Sequence, residues 1–204
     1  MALPRPRRPP ALSEDAEYSL NRIESAATRM TSLVEDLLLL ARLDEGRELE
    51  RESVDLTVVL IDAVADAHVA GSDHEWALEL PDEPLQVKGD RLRLHQVVAN
   101  LLRNANVHTP PGTRVATSLR NEINPSGIPV AVITVADNGP GIEPELLPVL
   151  FERFARGDSS RARSTGSTGL GLAIVEAVID AHGGRVSVES VPNRTEFRVE
   201  LPIA

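Results

Sequence analysis

The sequence predicts an α+β fold: a two-layer α/β sandwich whose sheet is covered by helices on one face, preceded by a long helix. Three features of the 204 residues predict it. Residues 13–43 repeat apolar side chains at heptad spacing. Beyond residue 53, helical periodicity and alternating, strand-like stretches are intermixed. The last two strand-like stretches, 185–190 and 196–201, follow one another without a helix, so the sheet is not wholly parallel.

In chain order, residues 1–12 set Pro4, Pro6, Pro9 and Pro10 among Arg5, Arg7 and Arg8 and read as a disordered tail. Ser13 is placed as a helix N-cap, with Glu14 and Asp15 favourable against the helix dipole. Apolar residues then fall at Ala16, Leu20, Ile23, Ala27, Met30, Val34, Leu37 and Ala41, alternating spacings of four and three. Such a stripe is completed either by docking on the chain's own domain or by other helices. Leu33, Leu38 and Leu40 broaden it beyond a two-stranded seam, which favours a bundle or a homo- or hetero-oligomer through 13–43. Residues 44–53, charged and holding Gly46, read as a linker. The main domain, 54–204, then reads as helix 56–68, strands 76–80 and 85–87, helix 91–107, strands 114–120 and 130–136, a helix from 170 to 182 stopped by Gly183-Gly184, and the two closing strands.

Composition narrows function by exclusion. Hydrophobic residues make up 42% and charged residues 25%, the signature of a globular chain. Aromatics are only 2%, too few for base-stacking platforms, and the net charge of −10 opposes nucleic-acid or anionic-membrane binding, so no nucleic acid is expected as partner. With no cysteine, disulfides and thiol chemistry are out. The apolar run 37–41 is far too short to span a bilayer, and no signal-peptide pattern opens the chain. The expected location of the chain as it stands is cytoplasmic.

Three short stretches carry chemistry. On the helix from Arg91, Gln96, Asn100, Asn104 and His108 recur every four residues and share one face, opposite Val97, Val98, Leu101, Leu102 and Ala105. Asn carbonyls are hard oxygen ligands suited to Mg²⁺, although two Asn taken alone read more readily as a solvated face. Asp137-Asn-Gly139-Pro-Gly141 follows the strand 130–136. Asp there can accept from an amino group such as that of adenine, and glycines let the backbone approach a flat ring; alone, the stretch reads as an ordinary strand-ending turn. Gly166-Ser-Thr168-Gly169-Leu170-Gly171-Leu172 opens an apolar helix, whose free amides suit phosphate, and it is neither a Walker A loop nor a Rossmann fingerprint. The intervening segment 142–165 reads as a lid or a solvated charged loop. Within it, residues 151–163 carry Arg153, Arg156, Arg161 and Arg163 against Glu152 and Asp158, a local positive patch on an acidic chain.

Their order is the specific signal. Gln96-Val-Val-Ala-Asn100-Leu-Leu-Arg-Asn104-Ala resembles the N box, Asp137-Asn-Gly139-Pro-Gly141 the G1 box, Phe151-Glu-Arg-Phe154 the F box and Gly166-Ser-Thr-Gly169-Leu-Gly171-Leu the G2 box of the ATP-binding catalytic domain of sensor histidine kinases, in the gyrase, Hsp90, histidine kinase and MutL ATPase superfamily. Arg42-Leu43-Asp44 is similar to the end of that family's second dimerisation helix. The resemblance implies ATP with Mg²⁺, a catalytic pair Asn100 and Asn104 with Asn104 on the metal and Asn100 beside it, and Asp137 reading adenine. It arranges His108, Gly139, Gly141, Ile142, Phe154, Arg156, Arg161, Thr168, Gly169, Leu170, Gly171 and Leu172 around the nucleotide, and it implies a response regulator as downstream partner. In related ATPases a Glu at the Asn100 position activates water; Asn is a poor base, which favours transfer over hydrolysis.

Three departures accompany it. Where the N box continues with a cation and an aromatic, this chain has Val107 and His108, so a lid Arg is expected to substitute. Ser167 replaces the second G2 glycine. None of His68, His74, His95, His108 and His182 sits in a His-Glu-Leu-Arg-Thr-Pro-like acceptor segment. The phosphoacceptor His is therefore expected on another chain or on a missing segment, with the first dimerisation helix. A non-catalytic nucleotide-binding module and an anti-sigma-type protein-serine kinase are the alternatives.

Overall fold

The computed structural model describes residues 14–46, 49–155 and 168–203, without the side chains of Glu14 and Glu17. The elements run α1 (Glu14–Asp44), β1 (Glu52–Asp55), α2 (Leu56–Ala70), β2 (Glu75–Glu79), β3 (Gln86–Gly89), α3 (Arg91–His108), β4 (Arg114–Ile123), β5 (Pro129–Asp137), α4 (Gly171–Ala181), β6 (Arg185–Val191) and β7 (Arg194–Pro202), with a 3-10 turn at Leu147–Val149. The α+β sandwich is as expected. Ser13 and the tail 1–12 lie outside the described residues.

The sheet has order β2-β4-β5-β7-β6; β2 and β4 are parallel and the rest antiparallel. A separate two-stranded ribbon pairs β1 with β3. Alternation sorts each strand into an inward and an outward face. Ala131, Ile133 and Val135 of β5 and Phe197, Val199 and Leu201 of β7 turn inward against the helices. The helical layer answers with Val59 and Leu60 of α2, Leu94, Val98, Leu101 and Leu102 of α3, and Ile174, Val175, Val178 and Ile179 of α4. Burial of each large aliphatic side chain contributes roughly 1.5–3 kcal/mol.

Local chemistry marks the helix ends. Asp55 caps α2 by accepting from the Thr57 amide at 2.9 Å, and Asp90 caps α3 by accepting from Arg93 N–H at 3.1 Å. After α4 the chain turns at Gly183 (φ +71), where a side chain would be strained. The linker 44–53 needs correcting at both ends: Asp44 still belongs to α1, and Glu52 and Ser53 open β1.

Helix α1 divides into two parts. Near its end Leu39 and Leu40 are buried, and Leu33 and Leu43 pack partly against the same core. Asp36 accepts from Gln96 of α3 at 3.3 Å, and Arg153 donates to both carboxylate oxygens of Asp44 at 2.7 and 2.6 Å. The heptad seam lies on another flank and stays open: Ile23 is 64% and Met30 68% exposed. Leu38, expected to broaden the seam, is exposed, and Leu40 serves the domain core instead.

Candidate functional site

Asp137 is the last inward position of β5, and its cross-strand partner on β7 is Thr195. The sheet's inward face therefore ends in two polar residues where its helical cover stops. The polar face of α3 and the start of α4 supply the opposite wall. Between them lies a cleft of about 270 Å³, lined by Asn100, Arg103, Asn104 and His108 from α3, Asp137, Gly141 and Ile142 after β5, Gly169, Gly171 and Leu172 at α4, and Thr195 and Phe197 of β7.

Each wall has a local cause. Asp137 Oδ1 accepts from the Gly139 amide at 2.9 Å, closing the turn. A side chain at Gly139 would press on Thr109 and Asp137, at 2.6 and 2.7 Å. Gly141 has φ +86, and a Cβ there would come within 2.8 Å of the Val191 carbonyl, so this turn must be glycine twice over. The Ile142 amide donates to Ser190 Oγ at 2.8 Å, and Ser190 Oγ lies 3.0 Å from Thr195 Oγ1, which ties the turn to the β6–β7 hairpin. On the far wall, the Asn100 amide donates to the Gly171 carbonyl at 3.2 Å. No side chain caps α4, so its first-turn N–H groups and the positive end of its dipole meet the cleft. Phe154 donates its amide to the Gly169 carbonyl at 2.9 Å and adopts φ 64, a costly conformation for a bulky residue.

Burial lifts the Asp137 carboxyl above its ordinary range, although the Gly139 amide and the nearby His74 pull it back. His74 is itself buried; its Nε2 lies 2.9 Å from Thr109 Oγ1, which donates to the Ala105 carbonyl at 2.7 Å. His108 is pushed down, first by desolvation and then by the charge of Arg103.

Nine of the residues singled out from sequence meet at the cleft: Asn100, Asn104, His108, Asp137, Gly141, Ile142, Gly169, Gly171 and Leu172. Gly139 stands behind Asp137 as a turn residue. Leu170 is fully buried in the core, so only its backbone is left to meet a ligand. Thr168 Oγ1 accepts from the Leu170 amide at 3.4 Å, and Phe154 is 57% exposed beside Gly169; neither lines the cleft. Arg156 and Arg161 lie outside the described residues. Sequence reasoning missed Arg103, Thr109, Thr195 and Phe197. Arg103 could have been found, since it shares the helix face of Asn100 at i+3. Thr195 could not, because it reaches Asp137 only through strand register.

The residues present fit an adenine nucleotide with magnesium. Asp137 spends one carboxylate oxygen on Gly139, which leaves the other to accept from an exocyclic amine. Asn100 spends its NH₂ on Gly171, which leaves its carbonyl oxygen for a hard cation beside Asn104. Among the described residues no group of three or more His, Asp or Glu could hold a metal alone, so a cation here would share amide, phosphate and water oxygens.

The histidine kinase-, DNA gyrase B- and HSP90-like ATPase family matches residues 89–204. The probable sensor histidine kinase TcrY of Mycobacterium tuberculosis (strain ATCC 25618 / H37Rv) is 57% identical over 190 residues, covering 93% of this chain and 39% of that protein. The chain thus spans well under half the length of such relatives. The solved mycobacterial sensor histidine kinase MprB is 34% identical with a TM-score of 0.64, covering 75% of this chain and 97% of that one. Full-length ShkA, solved in complex with AMPPNP, is 27% identical with a TM-score of 0.79 over 96% of this chain and 40% of its own. The chain belongs to the histidine kinase-, DNA gyrase B- and HSP90-like ATPases, and among them it sides with the sensor histidine kinases.

Proposed function

We propose that this chain is the catalytic, ATP-binding part of a two-component sensor histidine kinase. It transfers the γ-phosphoryl of ATP to a His carried outside these residues, on a second chain or a further segment, for relay to a response-regulator Asp. The observation that carries the reading is the convergence of Asn100, Asn104, Asp137 and the uncapped α4 start on one cleft. Asp137 receives the adenine amine, and the amides around Gly169 and Gly171 receive phosphate oxygens. Asn104 and Asn100 would hold Mg²⁺, which neutralises charge on the phosphates when bound. Because Asn100 is an amide pinned to Gly171, it cannot act as a base toward water. The chain therefore positions the donor, and the acceptor imidazole nitrogen forms the new N–P bond as the bond to the β-phosphate oxygen breaks.

We assign 13–43 to the second dimerisation helix and 54–204 to the catalytic domain, with the open seam of α1 as the surface that meets the acceptor-bearing helices. On this reading the chain is the cytoplasmic part of its sensor. The test is radiolabel transfer from ATP to a separate polypeptide bearing the acceptor segment. Label should appear, should be acid-labile as phosphohistidine is, and should vanish with Asp137→Asn. ATP binding without any transfer would reduce the chain to a nucleotide-binding module. Acid-stable label would instead mark a serine kinase.

A further inference from the structure

Among the described lining of the cleft, Arg103 is the only Arg or Lys, and Asp137 and Glu143 are the carboxylates. A polyphosphate needs fixed positive charge, and the α4 start offers only partial charge. Along α3, Thr109 touches the Asp137 turn while Asn100 touches Gly171, so the helix runs from the amine end of the cleft to the phosphate end. At about 1.5 Å per residue, Arg103 stands about 4.5 Å from Asn100 and about 9 Å from Thr109. Its side chain leans toward the helix N-terminus, which is the phosphate end.

Asp36 of α1 faces the same stripe of α3. Its carboxylate accepts from Gln96, which lies two turns before Arg103 on one helix face. Arg103 is exposed, and its guanidinium has no described carboxylate at ion-pair distance. It nonetheless draws the Asp36 carboxyl downward against the burial that raises it, as Arg93 also does and Glu35 opposes. Arg103 is thus a cation within the field of α1 on one side and open to the cleft on the other.

We propose that Arg103 is a phosphate-binding residue of this cleft and that Asp36 of α1 competes with the nucleotide's polyphosphate for it. This rests on the ATP site proposed above and adds to it a charge link between nucleotide and dimerisation helix. Filling the cleft draws Arg103 toward the phosphates against the field of Asp36, and loss of Asp36 removes that opposing pull.

The test uses the full 204-residue chain, with affinities for ATP and for adenosine read by displacement of a fluorescent adenine nucleotide in Mg²⁺. Arg103→Ala should weaken ATP about tenfold or more while leaving adenosine within about twofold, and Arg103→Lys should recover part of the loss. Asp36→Asn should tighten ATP severalfold, and that gain should disappear in the Arg103→Ala background. Equal effects of Arg103→Ala on ATP and adenosine, or none on ATP, overturn the phosphate role. A gain from Asp36→Asn that survives without Arg103, or no gain, overturns the competition. Wild-type chain that does not bind ATP overturns the site itself, a distinct failure.

Discussion

Helices α1 and α3 are both amphipathic, yet the fold treats them in opposite ways. Helix α3 leaves Leu92 exposed at its start but buries its core-facing stripe: Leu94, Val97, Val98, Leu101 and Leu102 are all at or below 1% exposure. Its remaining face, half-wet and polar, becomes the wall of the cleft. Helix α1 buries Leu39 and Leu40 but leaves Leu20, Ile23, Met30, Val34 and Leu37 in the open. One helix is completed by its own chain and is free to spend its polar side on chemistry. The other is completed only at one end, and its regular apolar seam has no partner within the described residues. The wall of the cleft is thus built on the helix whose core face its own chain covers, and the unfinished seam lies on the helix that docks only at its end.

The largest expected effect tests that contrast directly. Leu101→Ala should cost about 2–5 kcal/mol, because it opens a cavity at a side chain only 1% exposed. Met30→Ala should change the unfolding free energy of the isolated chain by less than about 0.5 kcal/mol, since it is 68% exposed among the described residues. It should instead weaken self-association. Urea melts at low concentration and sedimentation equilibrium separate the two readouts. If Met30→Ala destabilised the dilute chain as much as Leu101→Ala does, the contrast would collapse.

The same pair of helices shows what is legible in a sequence. The four-residue recurrence of Gln96, Asn100, Asn104 and His108 opposite an aliphatic face gives α3 its position and its polar wall, because helix period is a local property. The seam of α1 is equally local, and it is seen in the fold as an open stripe. Strand β1 was missed for a local reason too: Glu52–Asp55 is short and buries only Val54, so no alternation stands out. The pairing of Asp137 with Thr195 was illegible because it depends on which strands become neighbours. The burial of Leu170 was illegible because it sits between two cleft glycines in sequence, while its side chain packs in the core as the helix begins.

A smaller effect concerns how α3 is held at its start. His182 is buried; its Nδ1 lies 2.7 Å from the Val178 carbonyl and its Nε2 accepts from the Asp90 amide at 3.0 Å. The first contact needs a proton on Nδ1 and the second needs a lone pair on Nε2, so the neutral ring is the one that fits. A Cβ at Gly89 would come within 2.5 Å of the ring, so the residue is glycine to admit it. Burial pushes this imidazole down, and its contact with Val178 opposes that. With a folded pKa below the unfolded value, its stability contribution is full above about 6.5 and is lost as pH falls. The expected slope approaches about 1.4 kcal/mol per pH unit below that point, until the folded pKa is reached. Urea melts from pH 7.5 to 5.0, as round-figure buffers chosen about that midpoint, should show a shallower decline in His182→Gln. Helix α1 contains no histidine, so no imidazole of that helix contributes to this slope. An unchanged slope in the variant would remove His182 as the anchor of α3.

The smallest effect is expected where α1 meets the segment after β5. One nitrogen of Arg153, Nη2, donates to both Asp44 oxygens, but the two side chains are 47% and 53% exposed, so water and salt screen them. Breaking the pair with Asp44→Asn should change global stability by about 0–1 kcal/mol. Its local consequence should be larger than its global one. The pair joins the last turn of α1 to the same short segment whose Phe154 amide is held by Gly169 at the cleft. Hydrogen exchange should therefore quicken at 41–46 and 150–154 in Asp44→Asn and leave α3 unchanged. The charge-reversed double variant Asp44→Arg with Arg153→Asp should restore protection at low salt. Uniform loss of protection across α3 as well would mean that the docked end of α1 supports the core, and that the two helices are less independent than their exposures indicate.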